Sequence, residues 1–118
     1  MRWSEMTERE RDALVAERVM GWSRVHGNEW LNSAGKLMIR PGRFSTDIAA
    51  AWQVVERMHK NYWVASVSNP LPDDNEGEGD WVSASFFDGM GIFDARMDTA
   101  PAAICLAALR ACGVDIEP

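Results

Sequence analysis

The sequence predicts an α+β domain in which helices pack on a small, largely antiparallel sheet, in the order α-β-α-β-β-β-α. Two observations predict it. Phe44-Ser45-Thr46-Asp47-Ile48-Ala49-Ala50-Ala51-Trp52 and Asp98-Thr99-Ala100-Pro101-Ala102-Ala103-Ile104-Cys105-Leu106 each run from a small hydroxyl or carboxylate cluster into an alanine-rich apolar stretch. That is how a helix with a capped N-terminus and a closely packed neighbour is written. Between them, Tyr62–Ser68, Trp81–Phe87 and Gly91–Met97 alternate apolar and polar residues in the β manner.

The elements follow in order. Thr7-Glu8-Arg9-Glu10 spells a capping box, so the first helix starts there. Leu14, Val15, Val19 and Trp22 give it an apolar stripe, Glu8, Arg9, Arg11, Asp12, Glu17 and Arg18 take its wet side, and Gly21 ends it. Residues 23–35 show no clean period and read as a loop with Trp30 tucked under it. Lys36-Leu37-Met38-Ile39-Arg40 reads as a short strand closed by Pro41-Gly42. In the second helix, Ile48, Trp52, Val55 and Met58 or His59 stack at helical spacing, and Asn61 suits a left-handed residue beyond its end. Two strands joined by the acidic stretch Pro70–Asp80 come next, then the tight turn Asp88-Gly89-Met90-Gly91 and a third strand. Thr99 or Asp98 caps the last helix, Pro101 sits in its first turn, and Gly113 stops it. From Ala100 to Cys112 only Arg110 is polar, which predicts burial around most of that helix.

Composition narrows the functional classes. At 118 residues the chain is one domain, and 47% hydrophobic with 25% charged residues is ordinary for a globular protein. No apolar run approaches the ~20 residues of a spanning helix, and Met1-Arg2-Trp3-Ser4-Glu5 lacks a signal-peptide core, so the expectation is a cytoplasmic protein with no membrane partner. A net charge of −6 argues against binding a nucleic acid polymer. Five of the acids, Asp73, Asp74, Glu76, Glu78 and Asp80, share one segment; without them 12 basic residues face 13 acidic ones, which leaves room for a local basic site. That acidic run lacks the spacing of an EF-hand loop and reads as a solvated hairpin loop.

No metal, cofactor or catalytic set stands out. Cys105 and Cys112 lie about 10.5 Å apart along one helix at ~1.5 Å per residue, too far for a disulfide, and read as small core hydrophobes. His26 and His59 alone do not make a zinc site. Gly89-Met90-Gly91 lacks the third glycine and the following helix of a dinucleotide fingerprint.

Three segments together resemble a known family. Val19-Met20-Gly21-Trp22, Phe44-Ser45-Thr46-Asp47-Ile48-Ala49-Ala50-Ala51-Trp52 and Thr99-Ala100-Pro101-Ala102-Ala103-Ile104-Cys105-Leu106-Ala107-Ala108-Leu109, in this order and over nearly the whole chain, are similar to the phage ABA sandwich domain family. The resemblance implies a small accessory protein of a phage or prophage with α-β-α layering, and it brings no established reaction. Leu106 stands where the family pattern leads one to expect a basic residue.

The candidate ligand-binding residues are Arg40, Arg43, Ser45, Thr46, Asp47, Trp22, Trp30, Asp98 and Thr99. The hydroxyls and carboxylates at the two helix starts serve as caps in one reading, each contributing ~1 kcal/mol. In the other, a helix start with Arg40 and Arg43 just upstream attracts an anion, and Asp47 accepts from a ribose hydroxyl or base edge, which favours a nucleotide-like ligand. The six tryptophans divide similarly. Trp22, Trp52, Trp63 and Trp81 fall on core-facing stripes, whereas Trp3 and Trp30 lie outside regular elements and would offer stacking platforms if exposed. The leading expectation is a non-enzymatic phage protein that binds and sequesters a small nucleotide-like signal of host defence. The alternative is an interaction module that inhibits a host protein through its acidic loop or an exposed tryptophan patch. A homodimer or larger assembly, with the apolar last helix as interface, fits either.

Overall fold

A computed structural model describes residues 1–27, 29–69 and 81–118. After a short 3-10 turn at Trp3–Glu5, helix α1 (Glu8–Arg18) begins with the capping box that its sequence spells. The Glu10 N–H donates to the Thr7 hydroxyl and the Thr7 N–H to the Glu10 carboxylate. Gly21, at φ +72°, turns the chain out of the helix region in a conformation that suits glycine.

Within 23–35, read as a loop, residues 23–26 and 29–31 are strands, and 32–35 form a turn. Strands β1 (Ser23–His26) and β2 (Glu29–Leu31) pair antiparallel, and β3 (Leu37–Met38) adds to β2 to complete a small sheet. Strands of three or four residues around Gly27 are too short to establish an alternation, which hid them in the sequence. Trp30 is tucked in as expected, buried in β2 beneath the Arg24 guanidinium at 4.8 Å.

Helix α2 (Ile48–Lys60) leads into a second antiparallel sheet of β4 (Val64–Ser68), β5 (Val82–Phe87) and β6 (Ile92–Met97), in that spatial order. Val64, Phe87 and Ile92 lie in register, as do Ala65, Phe86 and Phe93. The pleat therefore sends Ala84, Phe86 and Ala95 into the core and leaves Val64, Phe87, Ile92, Asp94 and Arg96 on the outer face. Helix α3 (Ala100–Ala111) packs on β5 and β6 and against α1 and α2, so every residue from Ala103 to Leu109 is buried. Its alanines make this possible, because only a methyl group separates the helix from its neighbours. The element order is the predicted one, with the β1–β2 hairpin added.

Several side chains depart from expectation. The predicted stripe of α2 is rotated: Ala51, Val54, Val55 and Met58 face the core, while Ile48 and Trp52 are 54% and 52% exposed. Small Ala51 lets α2 approach α3 more closely than a tryptophan would. The tryptophans consequently exchange roles. Trp3 and Trp30, platforms for stacking only if exposed, are 2% and 1% exposed, and Trp52, expected in the core, is the outward one. Trp3 is drawn in by Arg11, whose guanidinium stacks on the indole at 4.9 Å and donates to the Trp3 carbonyl at 2.9 Å. Beyond α2 it is Tyr62, not Asn61, that takes the left-handed conformation, at φ +70°. Asp12, read as solvent-facing, is buried, and Cys112, read as core, is exposed; Cys105 is buried as expected. Burial of α3 also removes it as an interface. The acidic run Asp73–Asp80 lies outside the described residues.

The chain ends are clasped together. Trp3 donates to the Glu117 carbonyl at 2.8 Å, Glu117 donates to that of Met1 at 3.0 Å, and an Arg2–Glu117 ion pair at 3.2 Å spans the contact. Among the described residues, no helix is long and apolar enough to cross a membrane.

Candidate functional site

The segment between β3 and α2 is pinned from three directions, and this builds the site. Phe44 is fully buried with its ring edge-on to Trp22 at 5.6 Å, and its carbonyl accepts from the Cys105 thiol at 3.1 Å. One oxygen of the buried Asp12 carboxylate accepts from both the Ser45 N–H (2.8 Å) and the Ser45 hydroxyl (2.7 Å). The Thr46 hydroxyl donates to Glu8 at 3.1 Å. Ser45 and Thr46 thus bolt the start of α2 onto α1 instead of capping α2. Asp47 is the cap, its carboxylate accepting from the Ala49 N–H at 3.1 Å.

Held this way, Arg40 and Arg43 line an open cleft of about 240 Å³ with Pro41 and, from α1, Glu8, Arg9 and Asp12. A neighbouring cleft of about 180 Å³ shares Arg9 and Pro41 and is lined further by Arg24 and by Trp30, the ring on which Arg24 stacks. Among the described residues, none of Arg9, Arg40 and Arg43 is in an ion pair. Burial raises the Asp12 carboxyl from its ordinary value, and the two Ser45 hydrogen bonds only partly offset that. Burial, and after it the negative charge of Asp12, pushes the Cys105 thiol well up, so Cys105 packs as an inert hydrophobe.

Of the sequence-predicted residues, Arg40 and Arg43 share one cleft, Ser45 and Thr46 bond the carboxylates on its wall, and Trp30 lines the adjoining cleft. Trp22 lies buried behind Phe44. Thr99 caps α3, accepting from the Ala102 N–H at 3.3 Å, and neither it nor Asp98 lines these clefts. Sequence reasoning missed Arg9, Glu8 and Asp12, all placed on a wet helix face. The available signal was an arginine between two carboxylates on consecutive turns of α1, one turn of which must face the fold.

The comparisons with known proteins agree with this architecture. The profile of the phage ABA sandwich domain matches residues 13–109. The chain belongs to that family. A crystal structure of a phage protein from Bacillus cereus ATCC 14579 is similar over 96% of this chain and 92% of that one, at 25% sequence identity and a TM-score of 0.72. No curated protein matches the sequence. The sandwich domain described here is therefore that of a small phage protein, and the matched region holds Asp12's partner Ser45, both cleft arginines of the β3–α2 segment, and the whole of α2.

Proposed function

We propose that this phage protein is non-enzymatic and sequesters a small nucleotide-like signal of host defence, with the arginine cleft between α1 and the β3–α2 segment as its anion-binding half. The observation that supports this most is the convergence of Arg9, Arg40 and Arg43 on one cleft without ion-pair partners among the described residues. Guanidinium groups flanking a segment held by buried hydrogen bonds, as Arg40 and Arg43 do, are suited to bidentate contact with phosphate. Each cleft alone is smaller than the ~300–1,000 Å³ of most small-molecule sites, but they adjoin through Arg9 and Pro41, so a phosphate and a base or ribose can be held side by side. Glu8 and Asp12 temper the positive charge and supply acceptors for hydroxyl groups, a mixture that favours a nucleotide over a bare phosphate.

Calorimetric titration with cyclic and ADP-ribose-type nucleotides tests the reading. At least one is expected to bind at micromolar concentration or tighter and to be recovered unchanged after denaturation. Arg40→Ala and Arg43→Ala should each weaken it by roughly tenfold or more, the scale of ~1.5–3 kcal/mol for a hydrogen bond to a charged group. Absence of heat with the whole panel overturns the reading, and turnover of the ligand replaces it with an enzyme.

A further inference from the structure

The stripe Ile48–Trp52–Val55–His59 is spaced as a buried helix face, yet α2 presents Ile48 and Trp52 to solvent. Beside it runs a groove of about 550 Å³, lined by Trp52, Val55, Glu56, His59 and Lys60 of α2 and by Val64 and Ala65 of β4. The groove is thus continuous with the edge strand of the second sheet. The two edges of that sheet differ. β6 carries Asp94 and Arg96, and its Asp94 carbonyl already accepts from Arg110 at 2.8 Å. Charged side chains and occupied carbonyls of this kind guard an edge against pairing. β4 reads Val64-Ala65-Ser66-Val67-Ser68, with no charge or proline, a regular register to β5, and no strand on its other side among the described residues.

We propose that two copies of this protein associate about a two-fold axis beside β4, joining their sheets edge to edge and covering the outward stripe of α2. A second copy is the occupant that fits because the surface is complementary to itself. Antiparallel pairing of β4 with its own copy, centred on Ser66, sets Val64 opposite Ser68 and Ala65 opposite Val67, with no like charges in register. The α2 part carries the acid Glu56 a turn from Lys60, with His59 beside it, so an antiparallel partner helix crossing near Met58 brings opposite charges together. Trp52 then becomes an aromatic anchor of the interface. This inference is independent of the arginine cleft, whose lining residues it does not use.

Light scattering after size-exclusion chromatography is expected to give twice the chain mass at micromolar concentration. Trp52→Glu should weaken the dimer by about thirtyfold or more, the scale of an interface hot spot. Ser66→Asp, which sets two carboxylates against each other on the axis, should yield the monomer mass with an unchanged melting curve, because Ser66 is exposed in the single chain. The register has its own readout. Paired Cα atoms across antiparallel strands lie about 4.5–5.5 Å apart, within disulfide reach, so Ser66→Cys in a Cys112→Ser background should crosslink two chains on mild oxidation, whereas Ser33→Cys should not. A wild-type monomer overturns the proposal. So does a dimer indifferent to both Trp52→Glu and Ser66→Asp, which would place the interface elsewhere, or a monomer that instead captures an unrelated protein through Trp52.

Discussion

Asp12 takes both polar groups of Ser45 on a single buried oxygen, so its removal leaves an N–H and a hydroxyl in the interior without an acceptor. Asp12→Ala is expected to cost ~1–3 kcal/mol in urea denaturation and to loosen the arginines that follow from β3. Asp12→Asn keeps the accepting oxygen and removes the buried charge, so it should stay within ~1 kcal/mol of wild type at neutral pH. The two also differ in their dependence on pH. Burial raises this carboxyl in the folded chain, so the protonated form is favoured by folding. The associated stability is fully present below the unfolded value and is lost as pH rises through the folded one. Urea midpoints should therefore decline for wild type over that window and decline less for Asp12→Asn. A flat wild-type profile would contradict the burial argument. The cysteines offer a parallel check: a thiol reagent should modify Cys112 in the native protein and reach Cys105, buried with its thiol on the Phe44 carbonyl, only on unfolding.

At the level of elements, helix starts were legible because capping is local. Thr7, Asp47 and Thr99 each bond an N–H two or three residues ahead, and nothing distant enters. Rotation of α2 was not legible, since alanines at 49–51 give no amphipathic contrast and the larger Ile48 and Trp52 dominate any periodicity. The facing requirement of α3 decides it, and that is information from a part of the chain some fifty residues away. Strands β1 and β2 escaped for the opposite reason, being too short to carry a period. Close packing of α3 makes a direct prediction. Ala107→Leu inserts bulk where no solvent reaches and should lower stability by ~1–3 kcal/mol, while Ala102→Leu, partly exposed on the same helix, should cost less. Equal thermal shifts for the two would show that α3 has slack around it.

On the scale of the whole molecule, half of the candidate site was visible in sequence and half was assembled by folding. Arg40 and Arg43 stand beside a recognisable helix start, whereas Arg9, Glu8 and Asp12 reach the same cleft only because Asp12 and Ser45, 33 positions apart, bond across the core. If Arg9 belongs to both clefts as its position indicates, Arg9→Ala should weaken ligand binding at least as much as Arg43→Ala without changing the melting temperature. A stable Arg9→Ala protein with wild-type affinity would remove α1 from the site. The clasp between Met1–Trp3 and Glu117 has a further consequence. Topologically the fold is a ring that happens to be cut at that point, so the place of the cut is a matter of convenience. A circular permutant with its old termini spliced by a few residues and new ones opened at Gly35, a turn where even an added side chain meets nothing, should fold to the same architecture.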